Sequence, residues 1–187
     1  MSPGPSLAMV AKHSLAGGRI NGLATAWAHA IGIGFYAMIT ITGLGVLLEQ
    51  APVVFKIITL LGAGYLAYLG WNALRSKGGV VEKLEKGQPT SAWQAAREGL
   101  MIALLSPKIM VFFTALFSQF VALADSLANH AVIVLTPLIV DGLWYTLITL
   151  LLSSAALLER VRSRAQLIDR LTGVVLIALA IRVVATL

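Results

Sequence analysis

The amino-acid sequence predicts an all-α integral membrane protein. It predicts about six transmembrane helices, the first truncated, arranged as two inverted three-helix repeats. Three observations carry the expectation: long runs without charge, a low overall charge, and charges that alternate between loops. Of 187 residues, 58% are hydrophobic and 12% charged, against roughly 25% charged in a soluble domain. Ile20–Leu48 holds no Lys, Arg, Asp or Glu, and neither do Ile57–Leu74, Ile109–Ala124, Ser126–Val140 and Gly142–Leu158. A helix needs about 20 apolar residues to cross ~30 Å of hydrocarbon. In lipid each span must satisfy its own backbone N–H and C=O groups, so helices are the expected form. The residue alternation of a membrane β-barrel is missing.

The helices follow in order. The first runs from Met1 to about Ala11, short of a span because Lys12 follows so soon. The second covers Ile20–Leu48, the third Val53–Leu74, the fourth Glu98–Leu123, the fifth Leu127–Leu158 and the sixth Leu171–Leu187. The chain is then a single transmembrane domain. Repeat one is 1–75, repeat two is 98–187, and residues 76–97 form a hydrophilic connector between them. Ser76-Lys77-Gly78-Gly79 opens that connector and Gly87-Gln88-Pro89-Thr90-Ser91 closes it; these are turn and linker residues.

Basic residues sit on alternate loops. Lys12 and Arg19, five residues between Arg75 and Arg97, and four between Arg160 and Arg170 place eleven on one face, against Lys56 on the other. Short basic loops face the cytoplasm, so the expected setting is the bacterial cytoplasmic (inner) membrane with these loops inside. The same rule accounts for the net charge of +6 without nucleic acid. Absence of cysteine excludes disulfides, thiolate metal sites and thiol redox chemistry. Internal carboxylates and histidines are too few for a metal site, and no cofactor is expected. The chain has no HExxH, no phosphate-binding loop and no nucleophile–histidine–acid set, so it does not read as an enzyme. Two G-x-G-x-x-A matches, at Gly32 and Gly62, lie inside lipid-length runs and lack the strand a dinucleotide site needs.

The halves echo each other. Met1-Ser2-Pro3-Gly4-Pro5 recurs as Leu105-Ser106-Pro107-Lys108 at an offset of 104 residues. Three spans per half give the halves opposite orientations, the inverted-repeat plan of many secondary transporters. Proline removes a backbone donor and clashes one turn back, so both segments are candidate helix breaks. A break exposes N–H groups at a half-helix N-terminus, which suits a carboxylate.

Two charges lie inside predicted spans. Lys108 is 11 residues in from Arg97, and Asp141 is 11 residues in from His130. At ~1.5 Å per residue both reach about 16 Å depth, from opposite faces. Such charges are costly in lipid, so either a pair or a shared wet cavity is expected for the two. Lys108, or the half-helix N-termini, would hold a carboxylate; Asp141 would meet an ammonium group or carry a proton. Pro3, Gly4, Pro5, Ser6, Ser106, Pro107, Lys108, Asp141 and Gln119 are therefore candidates for a substrate and proton pathway. His29 is read as a packed polar residue or a proton relay. Gly32, Gly62, Gly64 and Gly70 read as small residues for close helix packing.

These residues resemble a known family. Ser2-Pro3-Gly4-Pro5, then Gly62-Ala63-Gly64-Tyr65-Leu66-Ala67-Tyr68-Leu69-Gly70, then Ser106-Pro107-Lys108-Ile109-Met110-Val111-Phe112-Phe113 running to Gln119-Phe120, and finally Asp141 are similar to motifs of LysE/RhtB-type amino-acid exporters. The similarity runs over nearly the whole chain. The departures are Ser6 for the usual Asp or Asn, Ser106 for Asn, Ser118 for Pro, Ala28 for Gly and Tyr36 for His. The resemblance implies proton-driven export of amino acids or their derivatives from a homodimer in the lipid bilayer. The alternative from another class is a non-transporting scaffold or channel-like subunit, in which Lys108 and Asp141 form a structural pair.

Overall fold

The computed structural model describes residues 5–75, 90–121, 124, 126–152 and 155–185. All six regular elements among them are helices: α1 (Pro5–Gln50), α2 (Pro52–Arg75), α3 (Ala92–Leu104), α4 (Pro107–Phe117), α5 (Leu127–Leu152) and α6 (Ala155–Ala185). α1, α2 and α5 are each long and apolar enough to cross a bilayer, and α3 with α4 forms a fourth candidate span bent by 56°. The first and last expected spans fall on the first arm of α1 and the C-terminal part of α6, and α6 is not one of these candidate spans.

The surface agrees with a lipid solvent. Ile20, Leu61 and Leu127 are 74%, 69% and 88% exposed, and they are three of many large apolar side chains turned outward. Soluble monomers rarely show such continuous apolar surface. Trp71 and Trp93 are exposed near one end of the bundle, where Arg75 stacks over Trp71 at 4.4 Å. Indole rings favour the lipid headgroup level.

α1 is two arms joined at Gly18. Gly18 has φ 72° and ψ −166°, a conformation essentially restricted to glycine. One residue thus turns the chain back on itself. A Cβ on Gly22 would stand 2.2 Å from Ser14 Oγ, and Ser6 reaches His29 at 2.9 Å. The first arm accordingly continues well past Ala11, and the expected loop around Lys12 and Arg19 shrinks to this turn. Three other expected boundaries move. α3 starts at Ala92 rather than Glu98, α5 stops at Leu152 rather than Leu158, and α6 starts at Ala155 rather than Leu171. Capping decides the first: Ser91 accepts a hydrogen bond from the Gln94 N–H at 3.2 Å, an N-cap just before the helix.

The helices fall into two groups with α4 between them. Both arms of α1 pack with α3 and α5, while α2 packs with α6. In the second group a Cβ on Gly70 would lie 2.9 Å from the Gly173 carbonyl, and one on Gly173 would lie 2.7 Å from the Gly70 carbonyl. Glycine on both helices lets the backbones touch. Gly32 abuts Ala103 and Gly62 abuts Ala115 in the same manner. Gly64 differs, since a Cβ there would meet nothing within 4 Å among the described residues. An apolar cluster of Ile33, Ile41, Leu44, Phe55, Phe113 and Phe117 fills the Gln50 end.

Candidate functional site

Proline and serine shape the middle of the bundle. Leu105 N–H bonds back to Met101 O at 2.9 Å and ends α3. Pro107 cannot continue that ladder and instead opens α4 at its first turn, where its missing donor costs nothing. Ser106 caps the new helix, accepting from the Ile109 N–H at 3.4 Å. The expected break therefore exists at Pro107, as a 56° bend. Its expected counterpart, Pro3 and Gly4, lies outside the described residues.

A cavity of about 240 Å³ lies beside this break. The first arm of α1 contributes Pro5 and Ser6, and the second arm His29 and Ile33. Ser106 and Lys108 stand at the start of α4, with Phe112 and Leu116 further along. α5 supplies Asp141 and Tyr145, and the α2–α6 pair closes the wall with Leu69, Thr172 and Leu176. The cavity thus sits between the two helix groups.

Asp141 is the centre of its polar side. His29 Nδ1 lies 2.7 Å from Asp141 Oδ2, and His29 Nε2 lies 2.9 Å from Ser6 Oγ. A neutral imidazole that donates from Nδ1 to the carboxylate accepts the Ser6 hydroxyl at Nε2. Tyr145 stands edge-on to His29 with ring centroids 5.2 Å apart. Only 3% of the His29 side chain and 2% of the Asp141 side chain is exposed. Asp141 Oδ1 is buried with no hydrogen-bond partner. A buried carboxylate oxygen left in that condition is costly, and the residue that carries it is one of those lining the cavity.

Asp141 is bridged to His29, and it shares the lining of the cavity with Lys108. Depth places Lys108 and Asp141 in one layer, but rotation of each helix about its axis decides which side chains meet. Pro5, Ser6 and Ser106 line the same cavity. Gln119 does not line it; its Nε2 is buried without a hydrogen-bond partner just beyond α4. His29 is the residue whose importance the sequence conveys least.

A second polar cluster lies nearer the Gly18 turn. Glu98 Oε2 accepts from Lys12 Nζ at 3.0 Å and lies 3.0 Å from His13 Nε2. His13 is fully buried, with Nδ1 3.2 Å from Thr90 Oγ1. Asn21 Nδ2 donates to the Thr90 carbonyl at 2.6 Å. The Lys12 and His13 contacts with Glu98 fasten the first arm of α1 to α3, and Asn21 ties the second arm to Thr90, just ahead of α3. Among the described residues no three His, Asp or Glu side chains gather as a metal site would require.

Apolar helices, one of them broken at mid-bundle, and a buried acid beside a cavity between two helix groups make up a multi-pass membrane protein. The chain belongs to the LysE type translocator family, whose model matches residues 1–186. An uncharacterized membrane protein of Haemophilus influenzae is 28% identical over 94% of this chain and 85% of its own length. An uncharacterized membrane protein of Escherichia coli, YahN, is 34% identical over 63% of this chain and 53% of its own. A leucine efflux protein of Salmonella typhimurium is 33% identical over 68% of this chain. That match covers 59% of the Salmonella protein, so against these last two relatives the chain spans little more than half their length. No solved structure gives a significant match.

Proposed function

We propose that this chain exports amino acids across the bacterial inner membrane in exchange for protons, with the cavity at Asp141 as the binding site. The observation that carries the reading is Asp141 itself. It is buried and among the residues that line the cavity, bridged to His29 through one oxygen and without a hydrogen-bond partner on the other. That oxygen takes either a proton or the ammonium group of an amino acid. Mutual exclusion of the two at one carboxylate is the simplest form of antiport. Lys108 and the N-terminus of α4 supply the positive potential for the carboxylate. Membership of a translocator family, and a relative named for leucine efflux, support an amino-acid cargo.

In this reading the eleven basic residues mark the cytoplasmic face. The Gly18 turn is cytoplasmic, and the Phe113–Phe117 cluster seals the opposite end. Alternating access follows from movement of α2 and α6 against the group of α1, α3 and α5, in keeping with two inverted repeats. A homodimer in the bilayer is part of the proposal.

The test is export by inverted vesicles carrying the wild type or Asp141→Asn, over a range of external pH. The wild type is expected to accumulate amino acid when a proton gradient is imposed. Equal, pH-independent flux in both proteins would reject the coupling role.

A further inference from the structure

Resting on the proton-exchange reading above, we propose that Ser6 and His29 form the route by which the coupling proton reaches Asp141. The acid has no open approach of its own. Its Oδ1 is buried, and its Oδ2 is covered by the His29 ring at 2.7 Å. The ring is covered as well, at 3% exposure against 2% for the Asp141 side chain. Ser6 is different. It is half-buried, follows the exposed Pro5 at the start of α1, and lines the cavity. Its hydroxyl oxygen lies 2.9 Å from His29 Nε2. Ser6, His29 and Asp141 thus make one continuous hydrogen-bonded file, with its outer end at the cavity and its inner end on the acid.

The file can carry one proton inward with every atom accounted for. At the start the carboxylate is charged, Nδ1 of a neutral His29 donates to it, and Ser6 donates to Nε2. A hydronium ion reaching the cavity gives a proton to Ser6 Oγ as the Ser6 proton passes to Nε2. The Nδ1 proton then passes to Asp141 Oδ2. The acid ends neutral, the imidazole ends neutral as its other tautomer, and Ser6 again carries one hydrogen. Each hydrogen bond survives with its direction reversed, so no buried group along the file loses its partner. Whichever oxygen carries the proton, a neutral acid no longer attracts an ammonium group. Release runs the same file backwards once the cavity opens to the other face. The other groups around His29 are few. α5 also brings Tyr145, edge-on to the ring. α4 brings Lys108 to the same cavity, a cation with donors only. α3 meets this stretch of α1 through Leu100 and Ala103 beside Gly32, neither of which titrates.

The test uses the full chain in proteoliposomes loaded with an isotope-labelled mixture of the common amino acids. Two fluxes are read from each preparation. One is net efflux driven by an imposed pH difference. The other is exchange against unlabelled amino acids at equal pH, which needs no proton transfer. Both come from the same vesicles, so their ratio does not depend on how much of a variant folds. His29→Gln keeps a polar group but cannot pass a proton, and is expected to lower the ratio of net efflux to exchange by about a hundredfold. Ser6→Ala is expected to lower it by about tenfold, less because a water can take the place of the hydroxyl. Ser6→Thr restores a hydroxyl and is expected to restore the ratio. A ratio unchanged in either His29→Gln or Ser6→Ala would overturn this inference and leave proton-coupled export standing. Exchange without any response to the pH difference in the wild type would instead remove proton coupling itself. A folded wild type that moved no amino acid would remove the exporter reading beneath both.

Discussion

His29 Nδ1 meets Asp141 Oδ2 at 2.7 Å across 112 positions of sequence, joining the second arm of α1 to α5 at the wall of the cavity. Removing one partner of a buried pair leaves the other charge or dipole unsatisfied, at a typical cost of about 3–5 kcal/mol. His29→Ala is therefore expected to lower thermal stability in detergent more than a surface change such as Arg75→Ala. His29→Gln retains a polar group and is expected to cost less. Scanning calorimetry or fluorescence melting of the three purified variants checks the order.

Gly18 offers a cleaner backbone test. No side chain lies near enough to clash with a Cβ there, so Gly18→Ala is expected to destabilise through φ and ψ alone, by about 1–3 kcal/mol. A melting temperature unchanged by Gly18→Ala would show that the turn adopts another conformation.

The helix-packing glycines should divide by their surroundings. Gly70→Val drives methyl groups into Ile177 and the Gly173 carbonyl, and Gly62→Val drives them into Ala115. Each is expected to cost about 1–3 kcal/mol by overpacking. Gly64→Ala faces open space and is expected to leave the melting temperature of the isolated chain unchanged. Parallel melting curves for the three variants make the comparison.

The cluster at Glu98 supports a fourth expectation. Glu98→Ala frees Lys12 and His13 and loosens the first arm of α1, which carries Ser6 to the cavity. The chain has no cysteine, so a single reporter can be introduced without background. Leu7→Cys should react with a thiol reagent faster in the Glu98→Ala protein than in the protein with Glu98 intact. Equal rates would mean that the arm is held without this cluster.

Much of this molecule is legible in its sequence, and what is hidden is hidden for physical reasons. Charge-free runs reveal spanning helices because lipid penalises every charge along them. Pro107 reveals its break because proline cannot donate to the ladder of the preceding helix. Asp141 stands out as an acid inside an apolar run. His29 does not, since a neutral histidine costs far less in such a run. The depth argument that selects Lys108 and Asp141 would have selected His29 as well, had the turn been placed at Gly18, 11 residues before it. Which of the three side chains meet depends on the rotation of packed helices, and depth along a span carries no information about rotation.

Asp141 as the shared site of cargo and proton is the central claim, and competition at that carboxylate tests it most directly. Amino-acid efflux from proteoliposomes should be measured against a graded pH difference for the wild type and Asp141→Asn. The wild type is expected to respond to the gradient, and the variant to lose that response together with about 10–100-fold in flux, the worth of a charge-assisted hydrogen bond. Retention of both rate and gradient response by Asp141→Asn would contradict the account.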